Sequence, residues 1–261
     1  MSTIPRIPPH PALIPGEPVP APSREQQEID RAFYPETDGK RMAENTLQYD
    51  WVEMVNGNIE AMLADNPNVF VAGDLLWYPV ENEPRNCTAP DTMVAFGRPK
   101  GTRGSYLQWR EAGIPPQVAF EILSPSDTAA EMDVNRGYYE RYGVLEYYHY
   151  SPFTKQREGW WRGSAATPFE KIAVIEEWTS PLLGIRFAGD ESGGLRVLRP
   201  DGRPFATFVE LNRRSEAKER GILIANEQRE AAEAQIEAAI RRNEALAARL
   251  RALGIDPDEI T

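Results

Sequence analysis

The chain has 261 residues, 41% of them hydrophobic, with a formal net charge of −11. One cysteine (Cys87) and two histidines (His10, His149) exclude disulfide frameworks and Cys/His zinc clusters. The acidity weighs against broad nucleic-acid binding, where phosphate contacts dominate, but not against an acidic site that must itself gather a divalent cation. The length suits one sizeable core plus appendages. No segment has the basic head and apolar stretch of a signal peptide, and no run approaches a membrane span. The expectation is a soluble, cytoplasmic protein with no membrane partner.

Residues 1–22 carry eight of the 23 prolines and no periodicity, so 1–40 is expected to be a disordered Pro-rich arm. From Asn45 to Ala64 the apolar spacing is helical, through Leu47, Trp51, Met54, Ile59, Met62 and Leu63, with Asn45 or Thr46 as cap. The turn Asp65–Asn68 leads to one strand, Val69–Tyr78, closed by Pro79. Two buried strands follow, Thr92–Phe96 and Val118–Leu123, with a short helix Ser105–Ala112 between them. Asp127 or Thr128 caps a helix running to Tyr142, and Gly143 stops it. Glu146–Tyr150 is the next strand. Shorter ones are expected around Gly159–Arg162, Lys171–Trp178 and Leu183–Phe187.

This order predicts an α/β domain over 41–211: a mixed β-sheet flanked by helices, with an antiparallel extension. Residues 212–261 are read as a charged amphipathic C-terminal long helix. Ile222, Ala225, Arg229, Ala232, Ile236, Ala239, Asn243, Leu246, Leu250 and Leu253 alternate steps of three and four, a heptad seam. Two outcomes stay open for it: a homodimeric coiled coil through residues 222–253, or a helix without a coiled-coil partner.

The chemistry concentrates in two acids. Asp91 heads one buried strand and Glu121 lies inside the next. A carboxylate in a buried strand is costly unless it is paired, protonated or bound to a metal. Two such acids on neighbouring strands can converge on one cation. Magnesium accepts hard oxygen ligands and often takes only one or two protein carboxylates. Asp91, Glu121 and the backbone carbonyl of Ile122 are the candidate ligands, with Mg2+ the expected ion and Mn2+ its substitute. The alternative reading is that both acids are structural. Glycines 97, 101 and 104 loosen a basic stretch, Arg98, Lys100, Arg103 and Arg110, read either as a solvated loop or as a phosphate contact.

Several motifs occur in a telling order: Ala89-Pro90-Asp91, Gly97-Arg98-Pro99, Ser105-Tyr106 with Trp109, Phe120-Glu121-Ile122-Leu123-Ser124-Pro125, Tyr139 with Tyr142-Gly143-Val144, Glu146-Tyr147-Tyr148 and Leu183-Gly184. Over residues 43–211 the chain resembles the Uma-type restriction endonuclease family of the PD-(D/E)xK nuclease superfamily. The tail ending Leu250-Arg251-Ala252-Leu253-Gly254-Ile255-Asp256-Pro257 resembles tails of that family. The resemblance implies a restriction-endonuclease-like fold, metal-dependent cleavage of DNA, and catalytic roles for Asp91 and Glu121. The lysine expected two residues after the second acid is Leu123 here. In this family that lysine is thought to migrate to the next helix, four residues before a tyrosine, where this chain has Asn135. Arg136, about 100° round the helix, and Arg141, almost two turns on, are candidates to replace its charge. Arginine shuttles protons poorly because it stays charged. Ser151 stands where such sequences usually carry Asp before Pro152.

Weaker candidates remain. Glu53 and Glu60 are read as auxiliary or surface acids, and Asp74 as a third ligand or an edge-strand charge. His149 is read as a packed histidine. Tyr139, Tyr142, Tyr147, Tyr148 and Tyr150 form an aromatic core cluster with one hydroxyl near the metal. Three functions are weighed: a magnesium-dependent DNA endonuclease; a nuclease-fold protein that lost cleavage with its lysine and acts as a DNA-binding or assembly module; and a coiled-coil interaction protein.

Overall fold

Two short, strongly apolar strands decide the architecture. The computed structural model describes residues 23–39 and 42–253. In it, β3 (Thr92–Phe96) and β5 (Val118–Ile122) lie beside each other inside a six-stranded mixed sheet. Its order is β1 (Val69–Ala72), β3, β5, β6 (Glu146–Tyr150), β7 (Arg157–Trp161), β8 (Glu170–Lys171). Only β5 and β6 pair in parallel, joined by the crossover helix α3 (Ala129–Tyr142). The other neighbours are antiparallel.

Both faces of the sheet are covered, which explains why its central strands read as unbroken apolar runs. Alternate side chains point to opposite faces. Val94, Phe96, Phe120 and Ile122 pack with Val52, Val55 and Ile59 of α2 (Thr46–Met62). That cluster also takes Phe187 and Val197 from the hairpin of β9 (Arg186–Gly189) and β10 (Leu195–Leu198). Met93, Ala95, Ala119 and Tyr147 pack on the other face with Tyr139 of α3. Trp77 stacks nearly parallel to Tyr139 there.

The helix ends follow the sequence. Asn45 accepts from the Gln48 amide at the start of α2. Thr128 and Glu131 form a reciprocal capping box on α3. Gly143 closes α3 in the left-handed region at φ 107°. A Cβ there would sit 2.7 Å from the Pro115 side chain, so backbone and space both demand glycine. Gly143→Ala is expected to cost about 1–3 kcal/mol, read from the shift of the urea midpoint at unchanged slope.

Several local expectations are corrected. Residues 24–33, inside the expected arm, form α1 (Arg24–Phe33), and Tyr34 after it is buried against Tyr78 and Trp109. Residues 1–22 of that arm lie outside the described residues. The single strand Val69–Tyr78 breaks at Gly73–Asp74, where Asp74 adopts φ 49°. Its second part, β2 (Trp77–Tyr78), leaves the sheet to pair in parallel with β4 (Tyr106–Leu107). The short helix expected over Ser105–Ala112 is β4 followed by one 3₁₀ turn, Gln108–Glu111. The strand around Lys171–Trp178 is β8 plus a second 3₁₀ turn, Ile175–Glu177. Strand β10 escaped sequence reading; its signal is the turn in which Asp190 accepts from the Ser192 and Gly194 amides.

The chain divides into two units, 1–207 and 208–261. The second begins with α4 (Phe208–Ala252), 45 residues without a kink-forming proline, about 68 Å of helix. Its start at Phe208 precedes the expected boundary at 211/212. No residue of α4 is buried, and Ile222, Ile236 and Leu246 of the heptad seam are exposed. Ion pairs Arg220–Glu216, Arg229–Glu233 and Arg241–Glu237 run along it at i,i+4. Among the described residues no helix is long and apolar enough to cross a membrane.

Candidate metal centre

Asp91 and Glu121 meet because of strand register. The pairing Thr92↔Phe120, extended by one residue, sets Asp91 opposite Glu121. Alternation then points both side chains to the α3 face, alongside Met93 and Ala119. The backbone fixes them further. Asp91 Oδ2 accepts from the Ile122 amide at 2.6 Å, and Glu121 Oε1 accepts from the Tyr139 hydroxyl. Tyr139 is therefore the cluster hydroxyl that reaches the acid pair. Tyr147, Tyr148 and Tyr150 are buried core residues, and Tyr142 packs on the edge of Trp77.

The pair lies in a cleft of about 370 Å³. Its walls carry five more carboxylates, Asp38, Glu44, Asp74, Asp127 and Glu131, and no lysine or arginine among the described residues. Burial pushes the Asp91 carboxyl up to about 7, with the charges of Asp74 and Asp127 adding to it against the Ile122 amide. Burial also raises Glu121 well above the usual carboxylate range, followed by the charge of Asp91. The Asp91–Glu121 pair is strained at neutral pH unless it holds a proton or a cation.

The donor chemistry fits a hard divalent ion. Two carboxylates stand together, and among the described residues no cluster of three or more His, Cys, Asp or Glu side chains forms a protein cage. That composition suits an ion that keeps most of its water. The Ile122 carbonyl accepts from Gln48 Nε2 at 2.7 Å, and a carbonyl has a second lone pair to offer. Gln48, on the first turn of α2, also lines the cleft. Sequence reading missed it, having looked further along that helix to Glu53 and Glu60, both exposed to solvent.

Asn135 lines the same cleft, one helical turn before Tyr139. Arg136 and Arg141 do not line it. Arg136 lies 5.7 Å from the Trp160 ring centre and pairs with Asp133, while Arg141 lies 5.3 Å from Tyr142. Asp74 lines the cleft from the turn that breaks the expected strand, its amide donating to Pro90 O at 3.0 Å. His149, registered beside Glu121 on β6, is buried, and burial pulls it down to about 4. It is neutral near pH 7 and brings no positive charge. Ser151 accepts from the Thr154 amide and serves a turn.

The basic stretch is placed differently from expectation. Arg98 is buried rather than solvated, and the loop lies at the opposite end of β3 from Asp91. Glu146, which sequence reading left as an ordinary strand residue, is a buried acid on the α2 face. It accepts from Ser180 Oγ, the Leu182 amide and the Tyr148 hydroxyl, and burial raises it to about 7.

The domain is a mixed sheet between helices, with a carboxylate pair where two adjacent strands meet. Residues 50–179 match the family Uma2, described as "Putative restriction endonuclease", and through this segment the chain belongs to that family. The segment contains Asp91, Glu121 and Asn135. A crystal structure of a "putative nuclease belonging to DUF820" from Anabaena variabilis ATCC 29413 is similar at TM-score 0.40 and 13% identity. The match covers 56% of this chain and 79% of that one, and the likeness is too slight to argue from. No curated protein matches the chain.

Proposed function

We propose that the domain is a magnesium-dependent DNA endonuclease, with Asp91 and Glu121 holding the ion and Mn2+ able to replace it. The observation that carries this reading is the cross-strand acid pair in a cleft lined by seven carboxylates and, among the described residues, no lysine or arginine. A divalent cation there supplies neutralisation of phosphate charge and activation of water. The chain's own residues do the positioning. The Ile122 amide orients Asp91, the Tyr139 hydroxyl orients Glu121, and Gln48 steadies the Ile122 carbonyl, which would be the third protein ligand. Asn135 offers an amide to orient the attacking water but no positive charge. Incubation with supercoiled plasmid tests the reading: nicking in magnesium or manganese and none in EDTA supports it, and no nicking at any metal level sinks it.

A second reading has its own observation. With Asn135 at the lysine position, no lysine or arginine in the cleft walls among the described residues, and both candidate arginines engaged elsewhere, cleavage is impaired and the domain serves as a DNA-binding or assembly module. It predicts metal binding without cutting. A dimer through residues 222–253 extends either reading, because the exposed seam of Ile222, Ile236 and Leu246 lacks a covering surface on α4 itself. Sedimentation should give twice the chain mass, and Ile236→Glu should halve it. A chain that sediments as a monomer ends that part. The cytoplasm is the proposed compartment.

The acids also set a pH dependence. Asp91, Glu121 and Glu146 each have a folded pKa above the ordinary carboxylate value. Their contribution to stability is complete below about pH 4; it is lost as pH rises through about 7 for Asp91 and Glu146, and through its own raised value for Glu121. The melting temperature is therefore expected to fall by roughly 5 °C or more between pH 5 and pH 8 from these groups. Magnesium should restore the part due to Asp91 and Glu121 at pH 8 and do little at pH 5. Calorimetric melts at both pH values, with and without magnesium, check this; a melting temperature indifferent to magnesium at pH 8 contradicts it.

A further inference from the structure

At the far end of β3 from the acid pair, the loop 98–105 closes a second hollow of about 370 Å³. Its charge is opposite in kind. Arg31, Arg98, Lys100, Arg103 and Arg110 line it, against Asp30, Glu36 and Glu111. Glu111 alone receives two guanidinium groups: Arg98 Nε at 2.7 Å and Arg103 Nε at 2.6 Å. Arg103 is further fixed over the Phe70 ring, 3.9 Å from its centre.

One buried carboxylate between two guanidiniums leaves a buried positive charge without a counter-ion. Arg98 is only 2% exposed, and its Nη1 is buried with no hydrogen-bond partner. A buried donor without a partner is costly, and an oxyanion removes that cost. Lys100 has no carboxylate partner among the described residues, and Arg110 holds Asp30 only at 3.4 Å. The Arg31–Glu36 pair at the rim is neutral in sum, whereas Arg110 Nε makes no hydrogen bond and can turn from Asp30 to an entering anion. The surplus charge lies with Arg98, Arg103 and Lys100.

We propose that this hollow binds a phosphate group, and that in the working protein the group is a backbone phosphate of the nucleic acid. The polymer, though not the phosphate, rests on the nuclease reading above. The six residue-to-residue steps from Asp91 to Gly97 span roughly 20 Å of strand. That is about six base pairs of duplex rise. The hollow would then hold the strand at a distance from the cut and set its register without reading sequence.

Titration of the full chain with pyrophosphate in EDTA tests the phosphate, and titration with a short DNA duplex across a salt series tests the polymer. Lys100→Glu and Arg110→Ala are the variants, because these side chains lie at the rim and an unchanged melting curve confirms their folds. Pyrophosphate binding by the native chain, weakened about tenfold or more in both variants, supports the site, as does a salt slope for the duplex reduced by about one per lost contact. No pyrophosphate binding by the native chain, or equal binding by both variants, overturns it. If pyrophosphate binding falls while duplex affinity and salt slope stay unchanged, the hollow serves a free phosphate compound and the backbone assignment fails. Because EDTA removes the cation, failure of the nuclease reading shows separately, as absent cleavage with the phosphate titration intact.

Discussion

Glu121→Gln is expected to lower metal-dependent DNA cleavage by about three orders of magnitude, the several kcal/mol that a metal contributes to stabilising transition-state charge. The same substitution should raise the melting temperature at pH 8. Glutamine keeps the shape of the side chain and its acceptor for the Tyr139 hydroxyl, so the packing of α3 on the sheet is preserved. It removes a charge that burial and Asp91 both disfavour. Opposite movements of activity and stability mark a residue placed for function at the expense of the fold. A structural acid would show the reverse, with stability falling and any cleavage falling only in proportion. Plasmid nicking and calorimetric melts on one preparation separate the two.

Asn135→Lys is expected to raise cleavage by about a hundredfold, the order that one charge-stabilising donor contributes in an active site. Position 135 lines the cleft one turn from Tyr139, whose hydroxyl reaches Glu121. An ammonium there would meet seven carboxylates and, among the described residues, no lysine or arginine. It would also draw Asp91 and Glu121 down toward ordinary carboxylate values, because a nearby positive charge favours the ionised form. The expected signature is therefore double: faster cleavage at fixed magnesium, and a stability that no longer falls so steeply between pH 5 and pH 8. Single-turnover cleavage of a labelled duplex measures the first. If the lysine variant cuts no faster and its pH profile of stability is unchanged, Asn135 is not the altered lysine position.

Much of this was legible in the residues. The apolar runs at 92–96 and 118–122, each with an acid, announced buried neighbouring strands, because only a sheet covered on both faces makes such runs. The capping box at Thr128 and the stop at Gly143 bounded α3, and a helix of known phase brings Asn135 and Tyr139 to one face. What stayed hidden depended on contacts distant in sequence. Gln48 reaches Ile122 across 74 positions, and nothing in its own helix distinguishes it. Arg98 looked solvated because its loop is rich in glycine, but Glu111 and Arg103 bury it. The break at Gly73–Asp74 is set by the Asp74 amide bonding to Pro90 O, a partner in the next strand's approach. Tyr34 sits in the Pro-rich arm by composition, yet Tyr78 and Trp109 supply the aromatic partners that pack it.

The most direct test is a calorimetric titration of the full chain with Mn2+ at pH 8, repeated on Asp91→Asn and Glu121→Gln. The account predicts one ion bound by the native chain and loss of that binding in both variants. Absence of binding in the native chain, or binding that persists in both variants, would contradict it.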